Sequence, residues 1–505
     1  MSDLSLFLAD EDATRAFGED LALTIRAGDC LALAGDLGAG KTALCRALIR
    51  ALADDDAIEV PSPTFTLVQT YALRLSISHF DLYRLADESE LGELGLDETL
   101  ETGVALIEWP ERAGSALPAG SVRIDITHEG GGRRVVVSTT NSRFMDRLRR
   151  VMAIRAFLDV HGHGGVARRF LTGDSSFRAY ERIRTADGRS LVLMDSPEQS
   201  NGPPIRDGKP YSQLVHLAEN VRPFIAVDRY LRDIGLSAPE IFAADVDQGI
   251  LLIEDLGSAG VLDAQGQPIA ERYEEAVRCL ADFHRRQPPD RLPVPGSADH
   301  IVPRFERDTL KFECEVLLDW HVAWRRGEPP SETERRTYLD IWDHLIDELQ
   351  GVETQLVLRD YHSPNLLWLA ERRGFERIGI IDFQDAIIGP SSYDVVSITQ
   401  DARVTVPRAL KDRLVDIYMD KRAAEGDFDR ESFLKSYAIM SAQRACRLNG
   451  LWVRLKQRDN MPGYMRHMPR TLWHLAMAFE HPVIAPLRDW CAAAGIVTAD
   501  DPAGR

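Results

Sequence analysis

Residues Gly35-Asp36-Leu37-Gly38-Ala39-Gly40-Lys41-Thr42 follow an apolar run and precede TALCRALIRALA, whose leucines and alanines repeat at helical spacing. No other feature constrains the fold as tightly, because G-x-x-x-x-G-K-S/T acts only at a turn from strand to helix. Its glycines let consecutive backbone N–H groups curl around phosphate oxygens, and the helix start adds partial positive charge. Lys41 then reaches the β- and γ-phosphates of a nucleotide, and the Thr42 hydroxyl holds Mg2+. The motif predicts an N-terminal α/β P-loop domain with a nucleotide site on Gly35, Asp36, Gly38, Ala39, Gly40, Lys41 and Thr42.

Such a site needs a carboxylate near the metal. Asp81 in SHFDLYRL and Glu108 at the end of VALIE are the candidates, and a parallel strand would deliver Glu108 to the ligand edge of a sheet. The neighbouring Trp109 either stacks on adenine or closes the core.

Charge narrows the partners. Residues 1–142 hold 11 basic and 24 acidic side chains, net −13, against −6 for the other 363 residues. Gripping nucleic acid needs a basic face, so any link of this segment to RNA is expected to run through other proteins. Only seven residues are lysine, against 53 arginines, and Lys41 is the sole lysine among the first 208. Six scattered cysteines form no C-x-x-C pair, which fits reduced, buried thiols in a cytoplasmic protein. Apolar runs fall short of the ~18 residues a membrane span needs, and MSDLSLFLADEDAT lacks the pattern of a secretory signal.

The 505 residues suggest about three domains. Residues 21–34, LALTIRAGDCLALA, read as two short strands around a turn at Ala27-Gly28-Asp29, and VRIDITHEGGGRRVVVST reads as a hairpin. Asn141-Ser142 caps a predicted helix with Phe144, Leu148, Val151, Met152 and Phe157 on one face and a solvated face of Arg147, Arg149, Arg150 and Arg155. The expected boundary lies there, giving domains 1–142 and 143–505. In the second, FRAYERIRTADGRSLVLMD reads as a hairpin turned at Asp187-Gly188, residues near 213–234 as a helix, and GILLIEDLG as a strand. A strand-rich lobe (about 143–256) thus precedes a helical lobe (about 257–505), broken near 356–390 by short apolar runs carrying carboxylates.

Four motifs of the first segment, GDLGAGKT, SPTFTLVQTY (62–71), HFDLYRL (79–85) and IEWPE (107–111), resemble the TsaE family. That family is the ATPase subunit of the bacterial complex that makes threonylcarbamoyladenosine in tRNA. The similarity spans residues 1 to about 140. It implies ATP binding and slow hydrolysis that drive turnover of the other subunits of the complex, which modify adenosine 37, with no modification chemistry in this domain itself. By motif, Lys41 and Thr42 bind phosphate and Mg2+, Thr64 and Phe65 belong to a switch-like loop, Asp81 and Glu108 serve the metal, and Trp109 the base.

In the helical lobe, LRDYHSPN places Asn365 five positions after Asp360, and Asp382 in GIIDFQDA follows seventeen residues later. Kinases of the protein-kinase-like class use this order: one Asp takes the acceptor hydroxyl's proton, while the Asn and a later Asp hold Mg2+ on ATP. The spacing predicts an α+β protein-kinase-like bilobal domain with Asp360 as base and Asn365 and Asp382 as metal ligands. Leu358 and Gln384 depart from the H-x-D and D-F-G forms. Met194 stands where the third strand normally supplies a phosphate-binding lysine, and Lys209 lies in a Pro/Gly loop. Phosphate neutralisation then falls to Mg2+ and an arginine, or the domain is a pseudokinase.

TGDSSFRAYERI (172–183), LVLMDSPEQ, GILLIEDLG (249–257), LRDYHSPNLLW (358–368) and IDFQDAIIGPSSYDVVS (381–397) resemble the aminoglycoside phosphotransferase superfamily, and within it the AmgK anomeric kinases of cell-wall amino sugars. The similarity covers residues 143 to about 490, and Met194-Asp195 is similar to that subfamily's own form of the strand. It implies that Asp174, Ser175, Ser176 and Phe177 cover the ATP phosphates and that the backbone from Glu254 to Leu256 meets adenine. The implied reaction moves phosphate from ATP to the anomeric hydroxyl of N-acetylmuramate or N-acetylglucosamine in cell-wall recycling. Asp385 and Asp394 read as loop-ordering groups, His362 as structural, and Met461 to His467 as a candidate lining of the acceptor pocket. The rival expectations are a kinase for an aminoglycoside or amino alcohol, and a scaffold of an ATP switch joined to a pseudokinase.

Overall fold

A computed structural model of the chain describes residues 2–85, 90–171, 178–185, 187–199, 202–424 and 426–496. The backbone divides into two compact units, Met1–Ser196 with Phe242–Asp255, and Pro197–Ile241 with Leu256–Arg505.

The first unit opens with a seven-stranded sheet built from β1 (Ser2–Leu8), β2 (Cys30–Ala34), β3 (Val68–Tyr71), β4 (Ser76–Asp81), β5 (Gly103–Glu108), β6 (Val122–Glu129) and β7 (Gly132–Thr139). Its order is β1-β7-β6-β2-β5-β4-β3. The inner four, β6, β2, β5 and β4, run parallel, and antiparallel pairings add β7, β1 and β3 at the edges. CLALA and GVALIE are buried at every position, as central parallel strands covered on both faces must be.

The expected strand at Leu21–Thr24 is instead the last turn of helix α1 (Glu11–Thr24), capped by the Asp10 side chain accepting from the Ala13 amide. A four-residue apolar run does not distinguish helix from strand. The helical repeat through Thr14, Phe17, Gly18, Leu21 and Ala22, all buried, decides it. Helix α2 (Lys41–Ala53) packs against α1 directly after the glycine loop.

Helix α3 (Ser142–Val160) is capped by Asn141 as expected. Its first half contributes Phe144, Met145 and Leu148 to the core under the seven-stranded sheet. Its second half contributes Ile154, Phe157 and Leu158 to a separate core with Ile183, Leu191 and Leu252. That second core belongs to a five-stranded sheet of β8 (Arg168–Leu171), β9 (Ala179–Arg184), β10 (Ser190–Asp195), β11 (Ile241–Asp245) and β12 (Ile250–Glu254), ordered β11-β12-β10-β9-β8.

The arginine face of α3 is largely paired rather than solvated. Arg147 holds Asp29 at 2.6 Å, Arg150 holds Asp195 at 2.9 Å, and Arg155 holds Asp20 at 2.6 Å, leaving Arg149 exposed. Beside them Arg168, with no exposed side-chain surface, bonds Glu181 at 2.7 Å, Asp20 at 3.0 Å and the Val151 carbonyl at 3.1 Å.

In the second unit the expected helix near 213–234 is split into Tyr211–Leu214 and α4 (Arg222–Asp233). Pro223 lacks an N–H and is tolerated only in a first helical turn, which fixes the start of α4. Helices α5 (Ala270–Phe283), α6 (Arg307–Val316), α7 (Ser392–Thr399), α8 (Arg430–Gln457) and α9 (Met468–Ala478) contribute to the core, with α8 packed on α6, α7 and α9. Two small antiparallel pairs lie among them: β13 (Thr354–Val357) with β16 (Ile387–Pro390), and β14 (Leu366–Trp368) with β15 (Ile378–Ile380). The loops carrying Asp360 and Asp382 leave the ends of β13 and β15. All six cysteines are buried and unpaired, and no described helix is long and apolar enough to cross a membrane.

Removing one partner of a buried ion pair strands the other charge, which typically costs about 3 to 5 kcal/mol. Arg168→Ala is expected to lower the urea midpoint of the full chain accordingly. Adding Glu181→Met, which removes the stranded carboxylate, is expected to recover part of that loss.

Candidate active sites

The glycine loop has the backbone that its sequence demands. Gly35 sits at φ 144°, and a Cβ there would lie 2.4 Å from the Ile126 carbonyl oxygen, so no other residue fits. Gly40, at φ 110°, begins α2. Lys41 Nζ donates to the carbonyls of Gly35 at 2.6 Å and Asp36 at 3.0 Å and lies 3.7 Å from the centre of the Trp109 ring. Burial pushes the Lys41 pKa down, while Glu108, Glu111, Asp81 and Asp36 pull it back up. Trp109 therefore both packs on the core and faces the phosphate-loop lysine.

Strands β4 and β5 bring the two candidate carboxylates side by side, with Asp81 opposite Glu108 in the ladder. Glu108 accepts from the Thr42 hydroxyl at 3.0 Å through one oxygen and meets His79 Nε2 at 2.9 Å through the other. Asp81 accepts from the Ser62 and Thr64 hydroxyls and from the Tyr83 amide. Thr64 thus reaches this cluster, whereas Phe65 is 84% exposed under the Arg84 guanidinium. Sequence reasoning left His79 and Ser62 unassigned. Their signal was position: His79 shares a strand face with Asp81, two residues on, and Ser62 precedes Thr64 in SPTFT.

In the second unit, the Asn365 amide donates to the Asp360 carbonyl at 3.0 Å and to the Asp382 carboxylate at 3.2 Å. The three residues predicted from spacing are thereby brought together. Gln384, in place of the D-F-G glycine, donates to the other Asp382 oxygen at 2.9 Å. Leu358, in place of the H-x-D histidine, is buried in the core. Arg359 and Asp382 hold left-handed backbones at φ 65° and 60°, conformations that persist only where their surroundings over-determine them. At Arg359 that restraint comes from Asp394, which accepts from the amides of Leu358 and Arg359, and from the pairing of Arg359 with Glu313 at 2.7 Å. Asp385 accepts from the Ala218 amide, so both acids order loops as expected. Burial opposes ionisation of Asp360, but His362, Arg447, Arg444 and Arg359 outweigh it and hold the carboxyl below its ordinary pKa. His362 is buried, and its pKa is pushed down mainly by that burial.

Met194 is fully enclosed in the five-stranded sheet, opposite Tyr180 and Leu251. Its neighbour Asp195 is the partner of Arg150. Lys209 is exposed in a turn bridged to Arg206. Glu254 ends β12 and is half-buried, like Leu256. Asp174, Ser175, Ser176 and Phe177 lie outside the described residues. Met461 to His467 form a short turn of helix whose Tyr464 stacks on Trp452 of α8.

Two families match the chain. Residues 8–136 match the threonylcarbamoyl adenosine biosynthesis protein TsaE, and residues 167–433 match the phosphotransferase enzyme family. An N-acetylmuramate/N-acetylglucosamine kinase of Caulobacter vibrioides is 33% identical over 68% of this chain and 95% of its own length. The TsaE protein of Rickettsia felis is 36% identical over 27% of this chain and 80% of its own length. The chain belongs to both families. A kinase of the same name from Pseudomonas aeruginosa is 31% identical over 64% of this chain and 87% of its own length. The phosphotransferase is thus an enzyme and its TsaE partner an ATPase, which overrides the expectation of a catalytically silent scaffold.

In the TsaE domain, His79 is the buried group that orients Glu108. Loss of such an orienting partner typically costs about 10- to 100-fold in metal affinity or activity. His79→Ala is expected to raise the Mg2+ concentration needed for half-maximal ATPase activity by that order, with His79→Gln falling between it and the native protein in an Mg2+ titration.

Proposed function

We propose that residues 1–142 are the ATPase of a complex that makes threonylcarbamoyladenosine in tRNA. Residues 143–505 transfer phosphate from ATP to the anomeric hydroxyl of N-acetylmuramate or N-acetylglucosamine, in cytoplasmic recycling of cell-wall sugars. The observation that carries the kinase reading is the Asn365 amide joining the Asp360 loop to the Asp382 carboxylate. The near-complete coverage of the Caulobacter kinase supports the choice of sugar.

The side chains of Asn365 and Asp382, and of Thr42 with Glu108 and Asp81, offer the oxygen donors that a hard cation such as Mg2+ prefers. Bound there, Mg2+ would neutralise charge on the phosphate oxygens. Asp360, ionised at neutral pH, accepts the proton of the anomeric hydroxyl as that oxygen bonds the γ-phosphorus and the bond to ADP breaks. The anomeric hydroxyl is more acidic than an ordinary alcohol, so one carboxylate suffices as base. By the same reading, Asp174 to Phe177 cover the phosphates and the backbone from Glu254 to Leu256 receives adenine. In the ATPase, Lys41 exchanges its two carbonyl partners for phosphate oxygens, while Trp109 serves the base. The acidic surface of this domain suits protein partners better than direct contact with tRNA.

The full chain with ATP and Mg2+ is assayed on amino sugars, aminoglycosides and choline. Asp360→Asn is expected to cut sugar phosphorylation by about 10²- to 10⁴-fold and spare basal ATP hydrolysis, with Lys41→Ala doing the reverse. Phosphorylation of an aminoglycoside or choline but no amino sugar would overturn the sugar reading. Loss of both activities in Lys41→Ala would overturn the independence of the two sites.

A further inference from the structure

Helix α8 carries a buried arginine and is tied on two sides to segments that hold the catalytic loop. On one side, Gln443 donates to Glu313 at 2.8 Å and Arg447 lies 3.5 Å from it, and Glu313 also holds Arg359, next to Asp360. On the other side, Ser441 donates to Gln400 at 2.6 Å, and the adjacent Asp401 accepts from the Ser363 amide at 2.9 Å. Arg444 lies between these two anchors within one helical turn. It is 4% exposed, and its Nε has no hydrogen-bond partner among the described residues.

A guanidinium stays charged at any physiological pH, and burying one without filling its donors is costly unless a ligand completes them. The charge of Arg444 acts on Asp360 and His362 alike. Nearby His474 is pushed down to about 3 by burial, Arg444 and Arg470, and His467 to about 4 by burial, Arg466, Arg470 and Arg403. Arg444 is thus a fixed positive charge beside a catalytic loop that also holds the carboxylates of Asp360 and Asp401. Arg470, which donates to the Ala402 carbonyl at 2.8 Å and to Thr405, holds the segment after Asp401 in place. A buried guanidinium with an unfilled donor beside this loop favours an acceptor bearing a carboxylate.

The two sugars of the proposed reaction differ in that respect. N-acetylmuramate carries a lactyl carboxylate on O3, where N-acetylglucosamine has a hydroxyl. We infer that Arg444 receives this lactyl carboxylate and so sets the preference of the kinase for the acidic sugar over the neutral one. The inference rests on the sugar-kinase reading of the site.

The test measures kcat/KM of the full chain for N-acetylmuramate, its uncharged methyl ester and N-acetylglucosamine, with the native protein, Arg444→Gln and Arg444→Lys. A hydrogen bond to a charged group is worth enough to expect the native protein to lose about 10- to 100-fold on the ester. Arg444→Gln is expected to lower the ratio of N-acetylmuramate to N-acetylglucosamine activity by a similar factor, and Arg444→Lys by less. A native protein indifferent to the ester, or an Arg444→Gln variant equally impaired on all three acceptors, overturns the assignment of Arg444 alone. A native protein inactive on both sugars overturns the sugar-kinase reading with it.

Discussion

Arg168 has no exposed side-chain surface, and its charge is tolerable only because two carboxylates and a carbonyl surround it. Taking a guanidinium out of water costs several kcal/mol unless its donors are filled. Here they are filled from three directions: Asp20 on α1, Glu181 on β9 and the Val151 carbonyl on α3. Moving any of the three elements would strand a charge. Because α1 packs on α2, and α2 begins at Lys41, the phosphate loop and the five-stranded sheet belong to one body. The apolar side of the same join is α3, whose two halves lie in two different cores. The proposed functional division at Ser142 is thus not a division of packing. The strands that resemble a kinase small lobe fold against the ATPase.

How legible each part was in the sequence follows from the physics that holds it. The glycine loop was readable because Gly35 and Gly40 answer local backbone demands that no other residue meets, and such demands are written in consecutive letters. The Asp360, Asn365 and Asp382 set was readable because short loops hung on small strand pairs fix its spacing. Helix α1 was misread because its apolar positions are diluted by acids, one of which, Asp20, is needed for the buried cluster with Arg155 and Arg168. The arginines of α3 looked like a solvated face for the same reason. Their partners Asp29, Asp195 and Asp20 lie far away in sequence, and nothing local marks a distant carboxylate. His79 and Arg444 belong to this second kind: each matters through a group that only the tertiary fold brings near.

The two sites treat their carboxylates by one logic with different parts. Glu108 is held by a hydroxyl and an imidazole, Asp81 by two hydroxyls and an amide, and Asp382 by two side-chain amides. The donors to these three are hydroxyls, amides and an imidazole rather than guanidinium groups. Arg359 and Arg168 bind their carboxylates tightly, and those acids, Glu313, Asp20 and Glu181, are spent on structure.

The scarcity of lysine follows from the same distinction. Burial disfavours the charge on an ammonium, as it does for Lys41, whereas a guanidinium keeps its proton. Met194 occupies a fully enclosed strand position, and the adjacent Asp195 is committed to Arg150. A lysine at 194 would have to keep its charge without that acid. An apolar residue there avoids the cost and leaves the phosphates of the kinase to other cations. Arginine, at 53 residues against seven lysines, supplies the buried cations at 168 and 359. Lys41 is kept where a compact ammonium sits between two carbonyls and a tryptophan face.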